Sequence, residues 1–338
     1  MLNRRSADVT HRRKTTRAAV VPLGLRALAA ALALGLVGVS TLEAATCRPK
    51  RPKPTIVLRD MGPCGFDRET TSFAGDPAEQ ARCLLRGMDM SRNLGPPMAR
   101  LPEVLAERVG ETSGLPSRES LATLLSTQGL EWELAYYLWQ PVAHAHDDDP
   151  AAPAARYFVI HDTSGPNFGR RPWPANIDAH PKINNLRRFR CSDGWVIAHA
   201  IINRGGALMI GHDFAVPWRA TKFERAKVFG TALKGLFLHV ELIQPRRRAG
   251  GKHGGKDAQA PSPGFSSAQY DRLALLYTIA SVRAGAWLIP AFHAPIDAHI
   301  RGGHDDPQNF EAGAFAASLE RLLVALEGHP DPIAAAQR

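Results

Sequence analysis

From residue 156 onward the chain is punctuated by short apolar runs, and three of them end in a side chain that binds metals or moves protons. The runs at 156–161, 195–203, 206–211, 236–242 and 287–292 are rich in Val, Ile, Phe and Trp and too short for helices, so they predict β-strands. Tyr157-Phe-Val-Ile leads into His161. Leu236-Phe-Leu-His-Val leads into Glu241. Trp287-Leu-Ile-Pro-Ala-Phe leads into His293, followed by His304-Asp-Asp306-Pro307. Two imidazoles and a carboxylate can hold one zinc ion and leave a fourth position for water, with a glutamate to handle protons. Thirteen histidines allow other groupings, and Asp297, Asp305 and His299 stand as further candidates for ligands or their supports.

The rest of this region is read from spacing. Gly205-Gly206 predicts a hairpin turn between two of the runs. Apolar periodicity predicts helices over 266–284, opening with Ser266-Ser267, and over 312–326. Strands alternating with helices predict an α/β fold, a mixed central sheet flanked by helices. Period-two alternation puts His239 and Glu241 on one face. A carboxylate in so apolar a run is costly to bury unless paired or near water. Glu241 is therefore expected to face a polar cavity, its pKa raised toward the range of a general base. The alternative is a structural hydrogen bond to His199 or His239. Arg246–Lys256, basic and glycine-rich, is expected to be an exposed, flexible insertion; the alternative is a contact with an anionic polymer.

The first 150 residues read differently. Seven basic residues from Arg4 to Arg26 precede the apolar run Ala27–Val39, and small residues follow at Ala44-Ala-Thr46. This is the layout of a secretory signal over 1–46, and the run is shorter than the roughly 20 residues that span a bilayer. Export to a periplasmic or extracellular space is expected, with no stable membrane anchor after cleavage. Residues 1–44 carry seven basic and two acidic residues, so of the 42 and 32 in the whole chain 35 and 30 remain, and the net charge of +10 falls to about +5. No basic-and-aromatic module for nucleic acid is apparent. Four cysteines in an exported chain predict disulfides, Cys64 with Cys83 first, while Cys47 and Cys191 form a second bridge or stay free. Residues 47–150 read as a mostly helical accessory region with a linker at Arg48–Pro54 and a linker or exposed loop at Ala145–Ala155, and 151–330 as the catalytic domain. Helical spacing is present at 77–86, 101–109 and 117–125. Trp132, Tyr136, Tyr137, Leu138 and Trp139 form an aromatic cluster expected to pack on the next domain; the alternative is a sugar-stacking surface.

With these segments in order, the stretch 155–312 resembles the zinc-dependent N-acetylmuramoyl-L-alanine amidases, the fold shared with peptidoglycan recognition proteins. The resemblance rests on Ile160-His161-Asp-Thr-Ser164, Ala198-His199 through Arg204-Gly-Gly206, Trp218-Arg-Ala-Thr221, Leu238-His-Val-Glu241, Phe265-Ser-Ser-Ala-Gln269, and Phe292-His293 with His304-Asp-Asp306-Pro307. It implies His161, His293 and Asp306 as zinc ligands and Glu241 as general base. It implies that His304, standing where the family has a lysine, stabilises the oxyanion, which requires it to donate a proton or hydrogen bond. The implied partner is peptidoglycan and the implied reaction is cleavage of the amide between N-acetylmuramic acid and L-alanine. A peptidoglycan-binding protein of the same fold without catalysis is the alternative. The departures from the family pattern are Arg219 after Trp218, Gln308 after Asp306-Pro307, alanines beside His199, and a long His293–Asp306 loop.

Overall fold

Five short strands form the central sheet, and their apolar alternation decides what covers each face. In the computed structural model, which describes residues 58–88, 93–130, 134, 137–190, 196–248 and 258–328, they are β1 (Tyr157–Asp162), β2 (Ala200–Ile202), β3 (Leu208–Ile210), β4 (Phe237–Leu242) and β5 (Ile289–Phe292). The sheet order is β3-β2-β4-β1-β5, with β2, β4, β1 and β5 parallel and β3 antiparallel to β2. It is a mixed α/β sheet flanked by helices, as expected. The expected signal over 1–46, the linker at Arg48–Pro54, Cys47, Cys191, Trp132, Tyr136 and residues 249–257 lie outside the described residues.

In-register pairing sorts side chains by face. Tyr157 pairs with Phe237, Val159 with His239 and His161 with Glu241, so these six share one face. Phe158, Ile160, Leu238 and Val240 point the other way, toward α4 (Ser267–Ala284) and α6 (Ala312–Glu327); Phe158 meets Tyr277, which meets Phe315. Helix α4 starts where expected. Ser266 caps it and closes a capping box with Gln269, whose amide also donates to the Ile243 and Ile202 carbonyls at the ends of β4 and β2.

The segment before the sheet shares its core. Helices α1 (Pro77–Leu84), α2 (Glu103–Ala106) and α3 (Arg118–Thr127) contribute Leu84, Leu105 and Leu121 to the same buried cluster as β1 and β4. Phe73 packs edge-on against Tyr157. The expected Cys64–Cys83 disulfide is formed. Helix α2 covers less than the 101–109 spacing predicts, because the chain turns at Gly110 (φ +84°), whose N–H donates to Trp287 O. Of the two readings of 145–155, the exposed loop is the one found: Ala145 N–H bonds Pro153 O and Asp147 N–H bonds Lys234 O. The strand predicted over 195–203 is confined to β2. Ahead of it the Val196 and Ile197 carbonyls are taken by the rings of His212 and Trp218 instead of a neighbouring strand. The hairpin turns at Gly206 (φ +80°), with Asn203 Oδ1 accepting from Gly205 and Ala207 N–H. No described helix is long and apolar enough to cross a membrane.

Candidate metal centre

The C-terminal ends of β1, β4 and β5 meet at one place, where parallel sheets open their ligand crevices. β1 delivers His161 and β4 delivers Glu241 in register with it. β5 ends at Phe292, and His293 opens the short helix α5 (His293–Asp297). The loop after α5 returns Asp306, tied down by Asp162 N–H to its Oδ2 (3.2 Å) and by Ala294 N–H to its carbonyl (2.8 Å). Thus the three sequence-predicted ligands converge. His161 Nδ1 lies 2.9 Å from His293 Nδ1, His293 Nδ1 lies 3.1 Å from Asp306 Oδ2, and that oxygen lies 3.7 Å from His161 Nδ1. All three residues are buried and together could hold a metal ion.

Each histidine is held from behind. His293 Nε2 faces Asp297 Oδ2 at 3.1 Å; Asp297 also accepts from Phe223 N–H (2.9 Å) and His304 N–H (3.2 Å). Asp297 sits four residues after His293, the spacing that puts two helical side chains on one side. His161 Nε2 faces His239 Nδ1 at 3.0 Å, and His239 Nε2 faces Glu224 Oε1 at 3.2 Å. Glu224 is fixed in turn by Thr221 N–H (2.9 Å) and Thr221 Oγ1 (2.8 Å), a local box within Thr221-Lys-Phe-Glu224. A longer contact, Ala220 N–H at 3.4 Å, also approaches His239 Nε2; the closer Glu224 oxygen is the stronger partner when Glu224 is ionised.

These outer partners dictate where the ring protons sit. With Asp297 and Glu224 ionised, His293 donates through Nε2. His239 donates to Glu224, accepts at Nδ1, and so requires His161 to donate through Nε2. The Nδ1 atoms of both rings and the Asp306 carboxylate then converge, and either a proton on His293 or a metal ion between them relieves the opposition of their lone pairs. Proton affinities follow. Burial pushes His161 down to about 3, reinforced by the charge of His293. Burial would also lower His293, but the Asp306 and Asp297 carboxylates overcome it and raise it well above the ordinary value. Burial works to raise Asp306, yet His293 and His161 hold it well below the usual carboxylate range. Around tetrahedral zinc, ligand atoms about 2.0–2.1 Å from the ion stand roughly 3.3 Å apart. The observed edges of 2.9, 3.1 and 3.7 Å bracket that separation.

Glu241 faces a cleft of about 240 Å³ lined also by Thr163, Ser164, Arg225, His293, His304 and Asp306. Its Oε2 is buried without a partner. Burial, then the charges of Asp306 and Asp162, raise its pKa well above the ordinary value. Its expected place beside a polar cavity is met, and among the described residues neither His199 nor His239 is hydrogen-bonded to it. His199 Nδ1 accepts from His239 N–H (2.9 Å). His304 is about half exposed, stacks on the His293 ring at 4.4 Å, and has Nδ1 3.4 Å from Asp306 Oδ1.

Asp297 supports His293 and, with His293 and His304, forms a second group that could hold a metal ion. His299 bonds the Cys64, Pro295 and Ile296 carbonyls and packs on Phe73, with no part in the cluster. Asp305 lies near Gln308 Nε2. Sequence reasoning missed Glu224, for which the Thr221–Glu224 box was the available signal, and Arg225, which lines the cleft while donating through Nε to Arg219 O (3.1 Å). It also misplaced Arg246, the first residue of the stretch expected to be exposed. Arg246 is buried and its guanidinium bridges both Asp162 oxygens (2.7 and 2.5 Å) directly behind the His161 strand end. A buried Asp162 without a counter-charge would be costly, and Arg246 supplies that charge while Ser164 and Gln308 N–H add hydrogen bonds. No family model, curated protein or solved structure matches the chain.

Proposed function

We propose that this cleft is the site of a zinc-dependent amide hydrolase, an N-acetylmuramoyl-L-alanine amidase acting on peptidoglycan in an exported compartment. The observation that carries the reading is the meeting of two imidazole nitrogens and a carboxylate, with an outer partner behind each ring, beside a buried glutamate with a free oxygen. His161, His293 and Asp306 would hold the ion. A zinc ion held so supplies Lewis-acid polarisation of a carbonyl and acidifies water toward a pKa of about 7.

The other roles belong to side chains. Glu241, with its raised proton affinity, takes a proton from the attacking water and delivers it to the leaving amine. His304, at the open side of the cleft, donates a hydrogen bond to the carbonyl oxygen as charge builds on it. Asp297 and the His239–Glu224 pair keep the two liganding rings turned inward.

The test is digestion of purified muropeptides with mass analysis of the products, together with metal analysis of the protein. The expected products are a free lactyl-bearing sugar and an L-alanine-terminated peptide. Glu241→Ala is expected to retain one metal per chain and lose cleavage. Retained cleavage in that variant removes the assigned base. A wild-type protein that carries stoichiometric zinc yet leaves every muropeptide intact removes the amidase reading. A protein that binds peptidoglycan and holds no metal is the non-catalytic relative.

A further inference from the structure

The cleft opens beside a surface that the reaction does not use. Residues 166–190 cross the same sheet face as Glu241: Ile183 packs with Ile201, which pairs in register with Glu241, and Phe168, Ile177, Leu186 and Phe189 lean on the same small core. The outward side of this segment is basic. Arg170, Arg171, Arg187 and Arg188 are exposed, and Arg247 and Arg248 join them, since Phe168 N–H bonds Arg246 O and Arg248 N–H bonds Gly169 O. The acid within 166–190, Asp178, is already paired with Arg204 at 2.6 Å.

Aromatic rings hold several of these cations. Arg171 lies over Phe168 at 5.7 Å, Arg188 over Phe189 at 5.4 Å and Arg247 over Trp173 at 5.6 Å. Stacked guanidiniums keep their donor edges free and lose less freedom on binding than lysines would. The patch reaches the cleft rim: a Cβ added at Gly165, next to Ser164 in the cleft wall, would stand 3.9 Å from the Arg188 guanidinium.

We propose that this arginine platform binds the carboxylates of neighbouring repeat units in the polymer whose amide lies in the cleft, so that the protein acts on polymeric substrate in preference to small fragments. The proposal rests on the peptidoglycan reading above. Charge complementarity carries the choice of occupant: a glycan strand with peptide side chains repeats its carboxylates along its length, and six planar forks suit carboxylates. Contacts of this kind are weakened by salt.

The experiment uses the exported form of the chain in two assays. In the first, sedimentation with insoluble peptidoglycan is measured from low to high salt for the wild type, for Arg170→Gln/Arg171→Gln/Arg187→Gln/Arg188→Gln, and for Arg247→Gln/Arg248→Gln. Binding is expected to fall at least tenfold in the fourfold variant, less in the double variant, and to lose most of its salt dependence. In the second, the fourfold variant is expected to cleave a soluble single-unit muropeptide as fast as the wild type and polymer several-fold more slowly. Unchanged sedimentation and salt dependence in both folded variants overturns the platform. Tighter binding of the wild type to an oligonucleotide than to peptidoglycan at equal salt overturns the choice of partner. Salt-sensitive, arginine-dependent sedimentation of a protein that cleaves no muropeptide leaves the platform standing and removes only the amidase.

Discussion

Asp297→Asn isolates the support of one liganding ring, because it changes charge and not shape. The Asp297 carboxylate receives three hydrogen bonds, from Phe223 N–H at 2.9 Å, His293 Nε2 at 3.1 Å and His304 N–H at 3.2 Å. An amide can accept at one oxygen only. Placing that oxygen toward His293 and His304 keeps two bonds and sets the amide NH₂ against Phe223 N–H. The opposed donors and the lost bond cost about 1–3 kcal/mol of folding stability. The bond to His293 survives in its neutral form. Charged hydrogen bonds are roughly twice as strong as neutral ones, a difference of about 1–2 kcal/mol. That converts to a loss of about 5- to 30-fold in metal affinity, overlapping the lower part of the roughly 10- to 100-fold typical of such outer partners. The assay is zinc competition with a chromophoric chelator, run well below the melting temperature of the variant. A zinc affinity within twofold of wild type in a folded variant refutes the claim that Asp297 sets the ring for metal binding.

Further outcomes follow from the same geometry. His239→Phe removes the contact to His161 Nε2 and is expected to weaken zinc about 10- to 100-fold by the same competition assay, while Asp305→Asn leaves it unchanged. Burial raises Glu224 to about 7 from 4.5, so the metal-free fold binds its proton more tightly than the unfolded chain does. Its contribution to stability is full below about pH 4.5 and falls, by about 3 kcal/mol, as pH rises through about 7. Glu224→Gln is therefore expected to lose less stability than wild type between pH 5 and 8 in denaturant titrations of the metal-free protein; parallel curves contradict this. Arg246→Leu leaves buried Asp162 without its counter-charge and is expected to destabilise by about 3–5 kcal/mol, read from the urea midpoint. Cys64→Ala/Cys83→Ala opens a loop spanning 19 positions and is expected to cost about 3 kcal/mol, read by thermal melting of the oxidised wild type against the variant.

Much of the fold was legible because it follows from local pattern. Apolar runs of strand length, Ser266 with Gln269, and Gly205-Gly206 each specify their element through neighbours within a few residues. Boundaries failed where distant groups intervened. The strand predicted over 195–203 shortens because His212 and Trp218 capture carbonyls at 196 and 197, and a periodicity argument contains no such partner.

For the candidate site, residue type and strand position by themselves determined His161, Glu241, His293 and Asp306 as chemistry-bearing ends of strands or loops, since a polar group after an apolar run must emerge at an edge. That Asp306 joins His161 and His293 while Asp297 joins His293 and His304 was shown only by the tertiary structure, because the return of one loop to within 3.1 Å of His293 depends on bonds to Asp162 and Ala294. Arg246 behind Asp162 was invisible along the chain, and the Thr221–Glu224 box marked Glu224 without showing that it backs His239: burial makes each charge require a partner, but which residue supplies it is set by packing across 15 positions in one case and 84 in the other.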